Sequence, residues 1–549
     1  MIRPRNLLFT LLLVSMLSAF SSASDIYIAQ NAAGGNTGAD CADAYAVSFF
    51  NSAANWGSSA GKIAPGTTAH LCGTITAPAG ASGYLTFHGS GATGNPITLL
   101  FEAGSVLTAA YWSGCAITMN GNSNITINGG SNGTIQATAN GTGLASSADG
   151  GMGICSGNAA TSNIVVENVT VSNIYQHTCT EPVSNCTDQG GQNTYGMYLW
   201  GGSNISVSQN TVHDMKWAIF LIYGTGATTS SNFNVYNNTI YDMDHGVVFG
   251  DQESGSKLNS SNCSSAVYNN DFSAMQPWDA TGDVNHHDAI HFWANGAPAS
   301  SYTGACQYSN YFHGAAGATC NTIFGMESYG DASYQFNNVL NPTGTSDACA
   351  TGLLGHWTGT GANSLDQHTL NNSISPPASS SSKGSQTMID YEQTSGGVVE
   401  NNLLLTGAGT YVYTDGGSGD LATADYNYYQ TLAGSNPFYG PSGCPSGAGF
   451  ATWQSGCGFD MHGRNASATV NSAPFTLPSG SAAIGAATNL TSLGITALDV
   501  GAPATFGVGG SCGNGCLARA GIGAWDAGAY PYSSSAAPNP PTNLSATVQ

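Results

Sequence analysis

The segment Asp279-Ala-Thr-Gly-Asp283-Val-Asn-His286-His287-Asp288-Ala-Ile-His291 is the densest ionisable cluster in the chain. Histidine moves protons near neutral pH, and a neighbouring carboxylate fixes its tautomer and raises its pKa. Two upstream segments carry related groups, Met215-Lys216-Trp217 and Asp242-Met-Asp244-His245. If these segments stack as rungs, Lys216, Asp244 and His287 form one column, and Trp217, His245 and Asp288 form another. Neighbours in such columns lie about 5 Å apart. The expected catalytic set is therefore Lys216, Asp244, His245, His287, Asp288 and His291. Paired acids such as Asp244 and Asp288 suit glycosidic hydrolysis. A metal on His245, His287 and His291 is an alternative, although no spacing motif fixes its geometry. Calcium on Asp242, Asp244, Asp279 or Asp283 is another, since carboxylates and loop carbonyls suit it.

These residues need strands to hold them. A short apolar strand recurs as Ala218-Ile-Phe-Leu221, Gly246-Val-Val-Phe249, Ala289-Ile-His-Phe292, Thr322-Ile-Phe-Gly325, Gly352-Leu-Leu-Gly355, Met388-Ile-Asp-Tyr391 and Tyr411-Val-Tyr-Thr414. In register, Ile219, Val247, Ile290, Ile323, Leu353, Ile389 and Val412 would point inward. Phe220, Val248, His291, Phe324, Leu354, Asp390 and Tyr413 would then point outward. A second outward column would hold Ile222, Gly250, Trp293, Met326, His356, Glu392 and Asp415. Trp293, His356, Asp390, Glu392, Tyr413 and Asp415 are thus the expected substrate-binding residues, with aromatic rings for sugar stacking and acids for hydrogen bonds.

Between these strands an Asn recurs at 168, 210, 238, 270, 310, 338, 372, 402 and 427, with an apolar residue two positions later except at Thr170. The spacing has a floor and a variable excess, which implies one coil per repeat and loops of different length. An Asn at one corner of every coil can bond its copies above and below, about 4.8 Å away. A β-sandwich with Asn-rich turns does not repeat one register so often. The coils Asn204-Ile-Ser-Val-Ser-Gln-Asn-Thr-Val-His-Asp-Met215 and Phe233-Asn-Val-Tyr-Asn-Asn-Thr-Ile-Tyr-Asp-Met243 resemble the right-handed parallel β-helix repeat of the pectate-lyase-like superfamily. The resemblance covers about residues 110–430 and implies an all-β solenoid. It leaves chemistry open among polysaccharide lyases, hydrolases, epimerases, tailspikes and adhesins.

Around that array, residues 1–24 read as an export signal, with Arg3 and Arg5 before an apolar stretch and Ser21–Ser24 after it. Residues 25–110 are expected to be an N-terminal cap with the first coils, 111–430 the repeats, 431–532 the final coils and a disulfide-containing cover, and 533–549 a Ser/Pro-rich tail. Only 7% of the 549 residues are charged, against roughly 25% in ordinary globular proteins. The formal charge of −22 excludes nucleic acid as a partner. Fourteen cysteines in an exported chain imply disulfides; neighbour pairing gives 41–72, 115–155, 179–186, 263–306, 320–349, 444–457 and 512–516. A secreted or cell-surface monomer without a membrane span is expected, with polysaccharide as partner and calcium as the one candidate cofactor. Scarce Lys and Arg set it apart from enzymes that grip polyuronates. Lyase, hydrolase and epimerase stay open beside a non-catalytic glycan-binding, adhesive or structural role.

Overall fold

The computed structural model describes residues 25–139, 150–157, 159–174, 194–224, 228–251, 255–278, 286–294, 301–358, 364–377, 387–392, 394–406, 409–414, 417, 419–432, 437–445, 447–511, 516–519, 521 and 523–532. Period-two apolar residues build the coils. Ile125 and Ile127 lie over Ile164 and Val166, then Ile205 and Val207, then Phe233 and Val235, all buried and in parallel register. Parallel pairing runs from Ile26–Ala29 with Thr68–Leu71 to Tyr428–Tyr429 with Arg464–Asn465. Parallel neighbours need a long return connection, which here is the remainder of each coil. The fold is all-β, a parallel β-helix with two long sheets.

The expected asparagine ladder is present and buried. Asn210 Nδ2 donates to Asn238 Oδ1 at 3.0 Å, and the same bond links Asn238, Asn270, Asn310, Asn338, Asn372, Asn402 and Asn427 at 3.0–3.1 Å. Each rung's backbone N–H also donates to that Oδ1, as from Asn270 to Asn310 at 3.2 Å. The second amide proton goes to a carbonyl one coil back, as from Asn310 to Val267 at 2.9 Å. Asp460 ends the ladder by accepting from Asn427 Nδ2 at 2.9 Å. Asn168 does not belong to it. It sits one position earlier, at φ 59, in the left-handed corner shared by Asn237, Asn269, Asn337, Asn371 and Asn401. Val169 holds the ladder position in that coil, its N–H donating to Asn210 Oδ1. This offset explains why Thr170 broke the pattern.

One sheet carries the expected working face in eight successive rungs: β1 (Tyr195–Gly201), β2 (Thr211–Tyr223), β3 (Thr239–Gly250), β4 (His287–Trp293), β5 (Cys320–Glu327), β6 (Leu354–Trp357), β7 (Thr387–Glu392) and β8 (Thr410–Thr414). Tyr195, Trp217, His245 and Asp288 fall in one column, and Phe220, Val248 and His291 in another. Between β4 and β5 the register shifts: His287 faces Cys320 but Asp288 faces Thr322, so β5 carries one extra residue. Such bulges re-aim side chains beside functional sites.

The bulge corrects the expected columns. Phe324 and Leu354 pair with Ile290 and Ile389 in the buried interior, and Gly325 and Gly355 take the outward places beside His291 and Asp390. Met326 and His356 likewise turn inward, while Glu327 and Trp357 stand outward in line with Trp293 and Glu392.

Both ends are covered. Helix Val47–Phe50 places Phe50 against Trp56 and Phe87 near the first coils. Helix Phe450–Cys457 places Trp453 on Phe438 and bonds its indole to Asp460. The chain beyond then runs back along the asparagine corner. Asn401 Nδ2 donates to the Thr488 carbonyl, Asn337 Nδ2 to that of Val500, and the Gly507 N–H reaches the Asn269 carbonyl. Five expected disulfides are formed, at 41–72, 115–155, 263–306, 320–349 and 444–457. The pair 179–186 and Cys512 lie outside the described residues, as do 1–24. No helix among the described residues is long and apolar enough to cross a membrane.

Candidate active site

Stacked strands bring the ionisable residues together on the outward face of β2 to β5. Asp288 is fully buried, and the bulge gives its Oδ1 a fixed donor, the Thr322 N–H at 3.0 Å. Its Oδ2 meets three imidazole nitrogens: His286 Nε2 at 3.1 Å, His291 Nδ1 at 3.2 Å and His245 Nε2 at 3.3 Å. None of these contacts has hydrogen-bond geometry, so Oδ2 is a buried acceptor without a donor.

The far side of two rings is backed by carboxylates. His291 Nε2 lies 2.8 Å from Glu327 Oε2, and His245 Nδ1 lies 3.4 Å from Asp244 Oδ1. Burial by itself favours neutral forms, but here the opposite charges prevail. His291 is pushed up to about 10 by Asp288 and Glu327 against its burial, and His245 is raised by Asp244 and Asp288. Against the same desolvation, His286 and His291 hold Asp288 well below the ordinary carboxylate value. Asp244 is lowered by His245, His287 and Lys216, and Glu327 by His291, each against burial.

Aromatic rings wall the cluster. Trp217 stacks on His245 with centroids 4.3 Å apart, and Trp357 and Trp293 lie 5.5 Å and 6.3 Å from His291. Tyr195, Phe220, Ile222 and Val248 form a separate apolar cluster there, with Tyr198, Trp200, Trp217 and Trp293 packed on it. The indoles lie over glycines. A Cβ at Gly250 would collide with Trp293, and one at Gly325 would come within 2.6 Å of the Trp357 ring.

Six expected catalytic residues thus divide. Asp244, His245, Asp288 and His291 converge. Lys216 is buried on the Asp244 side of the cluster. His287 is buried in its expected column, 3.7 Å from Asp244 and within 3.0 Å of the Thr319 hydroxyl; half-exposed His286, which was not among the expected residues, stands beside Asp288. Among the expected binding residues, Trp293 lies at the cluster. Asp390, Tyr413 and Glu392 lie further along the outward columns. Asp390 stands three rungs from His291, across the two glycines, about 14 Å. His356 is corrected. It is fully interior, between Gln367 at 2.7 Å and the Thr369 hydroxyl at 2.9 Å. Asp242 occupies a left-handed corner at φ 52, in line with Asp214 at φ 56, and does not join the cluster. Asp279, Asp283 and Asp415 lie outside the described residues.

Residues 102–288 match a family model described as right handed beta helix region. No curated protein matches the chain. The solved structures it resembles include the GH136 lacto-N-biosidase from Eubacterium ramulus, at TM-score 0.40 and 10% identity over 70% of this chain and 64% of that one. They also include the mannuronan C-5 epimerase AlgE6 A-module from Azotobacter vinelandii, at TM-score 0.31 and 13% identity over 64% of this chain and 87% of that one. This chain therefore spans 64% of the biosidase's length. The fold is a parallel β-helix, and residues 102–288 of it match the right-handed β-helix model.

Proposed function

We propose that this protein is an exported hydrolase of a neutral polysaccharide, reacting at the Asp288 cluster with sugar rings laid along β3 to β6. The observation that carries the reading is the chain Asp288–His291–Glu327, two carboxylates joined through one ring at 3.2 Å and 2.8 Å between Trp293 and Trp357. Two ionised carboxylates beside an imidazole held in its protonated form supply a base and a proton donor, the two roles that glycosidic hydrolysis requires. The buried indole N–H groups of Trp217 and Trp293 have no hydrogen-bond acceptor, so sugar hydroxyl oxygens would satisfy them.

Charge separates hydrolysis from elimination. The nearby Lys216 is buried, and the outward places hold Glu327 and Glu392, so a polyuronate would be repelled. Disulfides support an oxidising, extracellular setting. The test is incubation of the purified chain with neutral and uronic polysaccharides. New reducing ends without the ultraviolet band of unsaturated uronates are expected from a neutral glycan. Unsaturated product would overturn hydrolysis, and glycan retention without any turnover would leave a binding protein.

A further inference from the structure

We propose that His245 Nε2, His286 Nε2, His291 Nδ1 and Asp288 Oδ2 form a binding site for one divalent first-row transition ion, zinc by donor chemistry.

Two observations converge on it. The four donor atoms lie within 4.8 Å of one another. The three nitrogens sit 3.1–3.3 Å from Asp288 Oδ2 without a hydrogen bond to it. Ligands about 2.0–2.1 Å from a tetrahedral zinc are about 3.3 Å from each other, so the three nitrogen-to-carboxylate spacings match edges of a coordination shell.

The outer partners fit as well. A metal-bound histidine turns its other ring nitrogen to a carboxylate or carbonyl, which fixes its orientation. His291 presents Nε2 to Glu327 at 2.8 Å, and His245 presents Nδ1 to Asp244 at 3.4 Å. Charge agrees with this arrangement. A divalent cation would take the place of the imidazole protons among the three carboxylates Asp244, Asp288 and Glu327.

Nitrogen-rich donors select against calcium, whose ligands are oxygens. Half-exposed His286 marks the side from which an ion enters. Ion binding needs no glycan, so it and the hydrolase reading can fail separately.

The full chain, stripped with a chelator and desalted, is titrated with Zn2+ and separately with Co2+. One ion per chain is expected, with Co2+ giving the visible absorption of imidazole–carboxylate coordination. His286→Ala, at a half-exposed position, should lower Zn2+ affinity at least about tenfold. Glu327→Gln, which keeps all four ligands, should lower it about 10–100-fold. His462→Ala, at an exposed histidine paired with Asp425, should change nothing. Sub-stoichiometric binding in the folded wild-type chain overturns the proposal. So does Zn2+ affinity that His286→Ala and Glu327→Gln both leave unaltered while thermal melts show an intact fold.

Discussion

His291 and His356 are both enclosed, yet they sit on opposite sides of the same sheet and behave in opposite ways. His356 points inward to the neutral partners Gln367 and Thr369, stacks on Tyr391, and is pushed down to about 3 by burial. His291 points outward between Asp288 and Glu327, and its neighbours overcome burial to raise it to about 10. Enclosure sets the cost of charging an imidazole; the partners decide whether it charges. The interior ring serves packing, and the exterior ring is the one proposed for chemistry.

Removing the outer partner should have the largest effect. Asp288→Asn keeps the shape and the bond from the Thr322 N–H, but withdraws the charge on which three rings converge. Turnover on the accepted glycan should fall about 10²–10⁴-fold in a chain that circular dichroism shows to be folded; equal activity would remove the cluster from the mechanism.

The interior ring sharpens the contrast through acid. Its folded pKa lies below the unfolded value of about 6.5, so the unfolded chain binds the extra proton. Stability is complete above about pH 6.5 and declines as pH falls towards 3. Between pH 7 and pH 4, His356 should account for a loss of about 3 kcal/mol. Denaturant unfolding at both pH values, compared with His356→Gln, measures it. A variant as acid-sensitive as the wild type would contradict the assignment.

The asparagine corner should yield a smaller, purely structural change. Asn310→Ala strips partners from Asn270, Asn338 and the Val267 carbonyl, at about 1–3 kcal/mol of stability, with turnover intact. Smallest is Gly325→Ala, whose methyl presses on the Thr322 side chain and the Trp357 ring. Glycan affinity should drop by about 1 kcal/mol, roughly fivefold, by titration calorimetry.

The solenoid was legible in the sequence because its signal is redundant: one amide at one corner, repeated through eight rungs. The face was legible except at the bulge. Trp217, His245 and Asp288 fell into their column as expected, and so did Asp390 and Tyr413 further on, but one additional residue at Asn321 displaced the assignments in β5 and β6. That slip sent His356 inside and hid Glu327 and Trp357, since a one-residue shift reverses every side chain in a strand. No periodicity signals a single inserted residue. His286 was missed for another reason: it precedes β4, so no column position pointed to it.

The asparagine spine meets its hydrogen-bonding needs from rung to rung and takes almost nothing from the segments that leave and rejoin it. Whatever chain lies between two rungs has one obligation, to return at the right height. Segments bordering the Asp288 cluster can therefore be lengthened, trimmed or grafted from another coil while the scaffold remains in alignment, which makes this protein a frame whose flank can be rewritten one turn at a time.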